Sequence, residues 1–356
     1  MAFLFIGATG DHAGHSIVIW AIARRLLETG LSVGFLKPFG TYPIRKEGVW
    51  TDRDALLLKE ALNLQESFDR ICPYPLSEGA WREQGTHEII EGIKSVAREL
   101  STGKDIVIVM GSRHIFFDDA SSGVSDIFLN TELKADFLLV DRYLKTSKSI
   151  YSILSVGSLL KGRIKGVIIN RVPPEKLDEV KYQMIPSLIQ KGIPITTALP
   201  EDPVLSLRSL GEIREVLNGE ILLGEEYLDQ SVGGITVGSS DLKEELLLFK
   251  KVYNKLILLK PFSLDAESKE SASPRSIAGI ILTGGRNPAP QVLQAAKNAM
   301  IPIILVKDDT FAAMERLEKG TPALSPRDEA KVRRFTEMMD RDEALDRLLQ
   351  SIGLIR

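Results

Sequence analysis

The stretch "MAFLFIGATGDHAGHS", residues 1–16, joins an apolar strand-like run to a glycine-rich turn. Residues 3–6 predict a buried strand, and residues 17–28 predict the helix that follows the turn. A strand, a glycine-rich turn and a helix form the layout of a phosphate-binding loop, whose backbone N–H groups surround phosphate oxygens. The stretch therefore predicts an α/β fold with an anion site at its first turn. The alternative is a glycine-rich turn that binds no ligand.

The loop departs from the usual phosphate-binding pattern at two positions. Thr9 replaces the first glycine of the standard spacing, and His15 occupies the lysine position. A neutral imidazole donates one hydrogen bond, whereas lysine supplies a full charge and three donors. This loss would weaken phosphoryl transfer more than binding, because that chemistry is chiefly electrostatic. Ser16 stands where the Mg²⁺-ligating hydroxyl belongs. The candidate phosphate-binding residues of the loop are Gly7, Thr9, Gly10, Gly14, His15 and Ser16.

Apolar β-branched runs alternate with helix-period segments through the first two hundred residues. The predicted strands are residues 3–6, 32–36, 105–110, 137–140, 166–170 and 193–197. Unbroken apolar strands separated by helices predict a doubly wound, mostly parallel sheet that is covered on both faces. Ligands of such sheets bind beyond the carboxyl ends of the strands.

A second, smaller α/β pattern follows, so we predict domains at residues 1–215 and 216–324. Its strands lie within residues 233–240, 255–262, 277–285 and 301–309, and residues 263–275 predict a polar, mobile loop. Residues 325–356 predict a helical tail. Its stripe of Leu345, Leu348, Leu349 and Ile352 faces either the core or a dimer partner.

Composition limits the class of protein. The 356 residues carry a formal net charge of -3, so no global field attracts nucleic acid or acidic lipid. No apolar stretch approaches the length of a membrane span, and no charged segment precedes the apolar start as in a secretory signal. Cys72 is the single cysteine, which excludes an internal disulfide and fits a reducing compartment. These features predict a soluble cytoplasmic protein with no membrane or nucleic-acid partner.

Five segments of the first domain carry a family resemblance, which comes from their order along the chain. They are "SVGFLKPFG" (32–40), "DRDALLLKEALNL" (52–64), "DIVIVMGS" (105–112), "GVIINRV" (166–172) and "ALPEDPVL" (198–205). This order resembles dethiobiotin synthetase and the related cobyrinic-acid-diamide-type P-loop enzymes. It is more similar to the dethiobiotin-synthetase-like N-terminal region of long bacterial phosphate acetyltransferases. "AGIILTGGRNP" (278–288) and "IPIILVKDDTF" (301–311) resemble the DRTGG domain that follows in those proteins.

The resemblance implies roles for individual residues. It places Ser16 and Asp54 at a Mg²⁺ ion, Lys37 at the phosphates and the reacting carbamate, and Asn170 at the adenine edge. Lys37 and Asp54 would be the catalytic pair of an active enzyme. Three of these residues also have explanations that need no ligand. Lys37 could be a solvated lysine at a strand end, Asp54 an acid favoured by the helix dipole, and Asn170 a turn-forming residue.

Other positions depart from the family. The metal-binding Glu that the family implies is Met110 here, which we interpret as a core residue. Asp118 and Asp119 could replace that carboxylate, although an exposed acidic loop is the simpler reading. In the second domain the DRTGG signature is missing. Thr283, Gly284, Gly285 and Arg286 remain as a candidate anion-binding turn, and a tight strand-to-helix connection is the alternative.

We expect a nucleotide- or anion-binding regulatory protein with weak or no ATP hydrolysis. The resemblance implies Mg²⁺ and ATP, or another nucleotide effector, as its ligands. It also implies a homodimer, and a separate acetyltransferase is a candidate partner. The family's acetyltransferase domain lies beyond the region matched here, so no acetyl transfer is expected. One alternative is an ATP-dependent ligase of the dethiobiotin or cobyrinic-acid-diamide type. The other is an interaction protein with an empty site.

Overall fold

A computed structural model describes residues 2–76, 85–116, 123–160, 162–237, 256–261, 277–319, 324–341 and 343–354. The strands in chain order are β1 Ala2–Ala8, β2 Val33–Leu36, β3 Phe39–Gly40, β4 Pro43–Lys46, β5 Val49–Asp52, β6 Tyr74–Pro75, β7 Ile106–Met110, β8 Asp136–Arg142, β9 Ile164–Val172, β10 Thr197–Pro200, β11 Arg208–Ser209, β12 Glu220–Leu223, β13 Ser231–Val237, β14 Leu256–Pro261, β15 Gly279–Leu282 and β16 Ile303–Leu305.

The helices range from single turns to four turns in length. They are α1 His15–Glu28, α2 Arg53–Ala61, α3 Phe68–Ile71, α4 Thr86–Leu100, α5 Asp126–Leu133, α6 Thr146–Leu160, α7 Leu177–Glu179, α8 Ile185–Gln190, α9 Leu210–Leu217, α10 Pro290–Asn298, α11 Thr310–Lys319, α12 Glu329–Asp340 and α13 Ala344–Ser351. A π-helical turn, Val180–Met184, joins α7 to α8. Within the described ranges, no helix has the length and apolarity needed to cross a membrane.

The chain folds into two compact units, Met1–Asp202 with Glu329–Arg356, and Pro203–Asp328. This division differs from the predicted boundary at residue 215 and from a separate tail at 325–356. The C-terminal helices belong to the first unit, where the Arg25 guanidinium pairs with the Asp346 carboxylate at 3.0 Å. Leu345, Leu348 and Leu349 of α13 are fully buried, so this stripe faces the core of its own unit.

The first unit is built on a fully parallel sheet in the order β10-β9-β8-β1-β7-β2. Helices α4, α5 and α6 pack on one face, where the Phe5 and Phe137 rings stack with centroids 5.5 Å apart. Helices α1, α12 and α13 pack on the other face. The predicted doubly wound fold is confirmed, but the predicted strand at 193–197 is wrong. β10 begins at Thr197, because Pro194 lacks the amide donor that a strand pairing there would require.

The second unit is a mixed sheet in the order β11-β13-β14-β15-β16-β12. Only β15 and β16 pair in parallel, and the other neighbours are antiparallel. Apolar clusters cover both faces, one with α9 and α11 and the other with α10. This unit is the smaller α/β region that the sequence predicts. The predicted polar loop at 263–275 lies outside the described residues.

Candidate functional site

The glycine-rich loop connects β1 to α1, and Gly14 sets the direction in which α1 begins. Gly14 is the N-cap residue and adopts a left-handed conformation with φ 89°, which favours glycine. A Cβ at this position would lie 2.6 Å from Asn170 Nδ2, so a side chain has no room either. Gly7 lies inside β1, where a Cβ would come within 2.5 Å of the Phe137 ring. Of the predicted glycines, Gly14 therefore shapes the turn into α1, whereas Gly7 serves sheet packing.

Asn170 and Thr9 anchor the loop to the neighbouring strands. Asn170 Nδ2 donates to the Ala13 carbonyl at 2.8 Å, from the end of β9. Thr9 Oγ1 donates to Asp141 Oδ1 at 2.7 Å, at the end of β8. Both side chains hold the loop in place, and the adenine contact implied for Asn170 stays a prediction.

His15, at the lysine position, is buried in the first turn of α1. Its side chain is 7% exposed, and its Nε2 atom is buried without a hydrogen-bond partner. Burial lowers the pKa of His15 to about 4, and the charges of Lys37 and Arg113 add to this against the opposing effect of Asp54. The imidazole is therefore neutral at pH 7. Gly14, the N-cap residue, makes no side-chain cap hydrogen bond, so the first N–H groups of α1 are the donors at this turn that an anion could use.

Lys37, Asp54 and Ser16 come together as the family resemblance implies. Lys37 Nζ lies 2.8 Å from Asp54 Oδ2, and Ser16 Oγ donates to Asp54 Oδ1 at 3.0 Å. The sequence prediction missed Asp52, which accepts the second lysine contact at 3.1 Å. Asp52 also caps α2 by accepting from the Asp54 N–H at 2.8 Å. The signal available in the sequence was an aspartate directly before a helix.

This lysine is held between two buried carboxylates. Burial alone would lower the pKa of Lys37, but Asp52 and Asp54 outweigh it and raise that pKa. Burial would raise the pKa of Asp54, but the Lys37 charge outweighs it and holds that pKa well below its usual range. Met110 Sδ lies 3.8 Å from Lys37 Nζ, so a thioether contacts the lysine where the family implies a metal carboxylate. The Lys37 ammonium therefore contacts protein groups, and the residue is only 1% exposed to solvent.

Ser16 and Asp54 are the oxygen donors that a Mg²⁺ ion could use. Mg²⁺ is usually held by one or two carboxylates together with phosphate oxygens and water. Across the described ranges, no cluster of three His, Cys, Asp or Glu side chains forms a metal cage. The donor set therefore fits a Mg²⁺ ion that arrives with a phosphorylated ligand. Asp118 and Asp119 lie outside the described residues.

In the second unit, the Thr283–Gly285 turn already uses its backbone donors. The Gly284 and Gly285 N–H groups donate to the Asp308 and Val306 carbonyls at 2.8 and 2.9 Å. Thr283 Oγ1 lies 2.8 Å from Thr310 Oγ1, and Arg286 is exposed. This geometry favours the tight strand-to-helix connection over an anion-binding turn.

The fold and the loop define a P-loop-type α/β protein. A family model described as an AAA domain matches residues 3–209, and a DRTGG domain model matches residues 212–319. Because the first match spans more than half of the chain, the chain belongs to that AAA-domain family. The predicted combination of a P-loop domain and a DRTGG domain is confirmed.

Among curated relatives, a phosphate acetyltransferase of Synechocystis sp. is 24% identical over 99% of this chain and 52% of its own length. An ATP-dependent dethiobiotin synthetase of Thermodesulfovibrio yellowstonii is 27% identical over 58% of this chain and 92% of its own. The chain spans about half the length of the phosphate acetyltransferases that it matches. Among solved structures, the MinD cell division protein of Aquifex aeolicus is 15% identical over 58% of this chain and 84% of its own, with a TM-score of 0.35.

Proposed function

We propose that the chain is a regulatory module that binds a nucleotide or related phosphorylated anion at the loop between β1 and α1. The observation that carries this proposal is the turn itself, where the left-handed Gly14 begins α1 without a side-chain cap and so leaves the first N–H groups of that helix to an anion. The dethiobiotin synthetases it resembles are ATP-dependent by name, which supports a nucleotide as the ligand. We also propose a homodimer, with a separate acetyltransferase polypeptide as a candidate partner.

Three features argue against phosphoryl transfer at this site. The loop lysine is replaced by an imidazole that is neutral at pH 7. Lys37 is held by Asp52 and Asp54, so moving it onto a phosphate would leave two buried carboxylates without their cation. Met110 supplies no charge for a metal. The site therefore keeps binding groups, but neither position 15 nor Lys37 supplies a cation that could follow the charge developing on the transferred phosphoryl group.

An ATP-dependent ligase is the second candidate, and one observation favours it. Ser16, Lys37 and Asp54 form a single connected network, which is the set that the resemblance assigns to an active synthetase. In that case Ser16 and Asp54 would hold Mg²⁺ and Lys37 would approach the transferred phosphate.

Thermal unfolding with Mg·ATP, ADP, NADH and acetyl-CoA tests binding. A saturating ligand at a hundred times Kd adds about 2.7 kcal/mol of stability, so a bound nucleotide raises the midpoint. If none of the four ligands changed the unfolding midpoint, the remaining hypothesis would be an interaction protein whose site binds no ligand. ADP release distinguishes sensor from ligase: we expect none above background for the wild type. Turnover that depends on a carboxylate substrate would establish the ligase.

A further inference from the structure

Three arginines from three strands of one sheet lie around the tip of the loop, and the P-loop pattern does not account for them. Arg113 follows β7, Arg142 ends β8 and Arg171 lies near the end of β9. We call these three residues the arginine collar. Each is half-buried, and they meet at the loop because β9, β8, β1 and β7 are consecutive in the sheet.

The collar contacts two consecutive loop residues, Asp11 and His12. Arg142 donates to the Asp11 carbonyl at 2.8 Å, and Arg171 donates to the His12 carbonyl at 3.5 Å. Arg113 lies 3.7 Å from the Asp11 carboxylate. Two guanidiniums thus donate to backbone oxygens of the loop, and the third lies near its carboxylate while donating to Tyr42 Oη at 2.7 Å.

The positive charges are close enough to repel each other. Burial lowers the pKa of Arg142, and Arg171 is the next largest cause, while Asp11 and Glu201 oppose it. The pKa of His12 is lowered by partial burial and by all three arginines, against the opposing charge of Asp11. Among the described residues, Asp11 and Glu201 place carboxylates 3.7 and 3.2 Å from collar guanidiniums. Holding like charges together in this way costs free energy that an anionic ligand would offset.

There is room for such a ligand beside the loop. A cavity of about 210 Å³ is lined by Thr9, Gly10 and Asp11 of the loop, by Arg142, and by Lys148 of α6. Asp141 also lines it, and burial raises the pKa of this carboxyl although Ser149 and Thr9 oppose the shift. The lining thus includes two cations, Arg142 and Lys148, and two carboxyl groups, Asp11 and Asp141, of which Asp141 accepts a hydrogen bond from Thr9.

We propose that the arginine collar is the cationic group of this site in place of the loop lysine, and that the ligand carries two or more linked phosphates. One phosphate lies at the N-terminus of α1, and the next lies against the collar. This inference rests on the proposed function and names its ligand class. Guanidiniums suit this role because they stay charged and bind phosphate oxygens in pairs. Binding then requires no metal ion.

Calorimetric titration of the full chain with inorganic tripolyphosphate and with orthophosphate, in EDTA at pH 7.5, tests the inference. We expect tripolyphosphate to bind the wild type at least tenfold more tightly than orthophosphate. Arg113→Gln, Arg142→Gln and Arg171→Gln should each weaken tripolyphosphate binding by roughly ten- to a hundredfold, the range for a hydrogen bond to a charged group. Arg24→Gln is the matched control, because it removes an exposed guanidinium of α1 that pairs with Glu28. Its affinity should equal that of the wild type.

Arg142→Lys keeps the charge and should retain more affinity than Arg142→Gln, which separates the collar's charge from its support of the Asp11 carbonyl. Unfolding midpoints of all variants are measured in parallel. If Arg142→Gln does not fold, the affinities of Arg171→Gln and Arg142→Lys test the collar instead. If the wild type binds tripolyphosphate and every arginine variant binds it equally well, the collar is wrong and the proposed function stands. Equal affinities of the wild type for orthophosphate and tripolyphosphate would also overturn the collar. If the wild type binds neither phosphate ligand in EDTA, the metal-free collar is wrong, and the Mg·ATP titration then decides the proposed function separately.

Discussion

Replacing His15 with glutamine should reduce the pH dependence of stability between pH 7 and pH 5. The pKa of His15 falls from its ordinary 6.5 to about 4 in the folded chain. The folded state therefore resists a proton that the unfolded state accepts. This contribution is fully present above pH 6.5 and is lost as the pH falls from 6.5 towards 4. Between pH 7 and pH 5 the wild type should lose about 2 kcal/mol that His15→Gln does not lose.

Urea unfolding at pH 7, 6 and 5 measures this difference, followed by tryptophan fluorescence. Trp20 is a suitable reporter because it is buried on α1, five residues from His15. His87→Gln is the matched control, since His87 is exposed on α4, and it should follow the wild type. If wild type and His15→Gln lose stability in parallel as the pH falls, the buried neutral imidazole is refuted, and with it the argument that position 15 supplies no cation to a bound phosphate.

Three further predictions concern the framework of the site. Lys37→Met leaves the buried carboxylates of Asp52 and Asp54 without their cation and should lower the free energy of unfolding by about 3–5 kcal/mol, measured by urea unfolding. A loss below about 1 kcal/mol would contradict the buried ion pairs of Lys37. Gly14→Ala should destabilise the chain more than Gly30→Ala in the same assay, because both have a left-handed φ but only Gly14 meets a neighbour, at 2.6 Å. Equal losses would mean that the loop can move aside. Leu348→Ala should cost about 2–5 kcal/mol by thermal unfolding, because α13 is buried in the first unit; a neutral effect would support a peripheral tail.

Much of the first unit could be predicted because its signals are local. β1, the loop and α1 lie within residues 2–28, and the apolar strands are buried on both faces, so they can be identified without their neighbours. The meeting of Lys37 with Asp54 could be anticipated through the family resemblance. Asp52 could also have been found, since it precedes α2 as an N-cap residue.

The features that were missed depend on which strands are neighbours. Arg113, Arg142 and Arg171 are separated by about thirty residues each, and only the order β9-β8-β1-β7 brings them to one loop. The stripe of α13 gave no indication of its partner, because a helix face carries the same pattern against a core or a dimer. The Thr283–Gly285 turn shows the same limit. Its composition suggests an anion site, but its donors are used by carbonyls more than twenty residues away.

Calorimetric titration of Mg·ATP into the full chain tests the central claim most directly, because one trace reports both binding and turnover. The loop at β1–α1 should give a saturable heat of binding that returns to baseline after each injection. A baseline that stays displaced in proportion to protein concentration would mean continuing hydrolysis and an active enzyme. Injections with no heat beyond dilution, repeated at a second temperature to exclude a zero binding enthalpy, would mean that the loop does not hold the nucleotide.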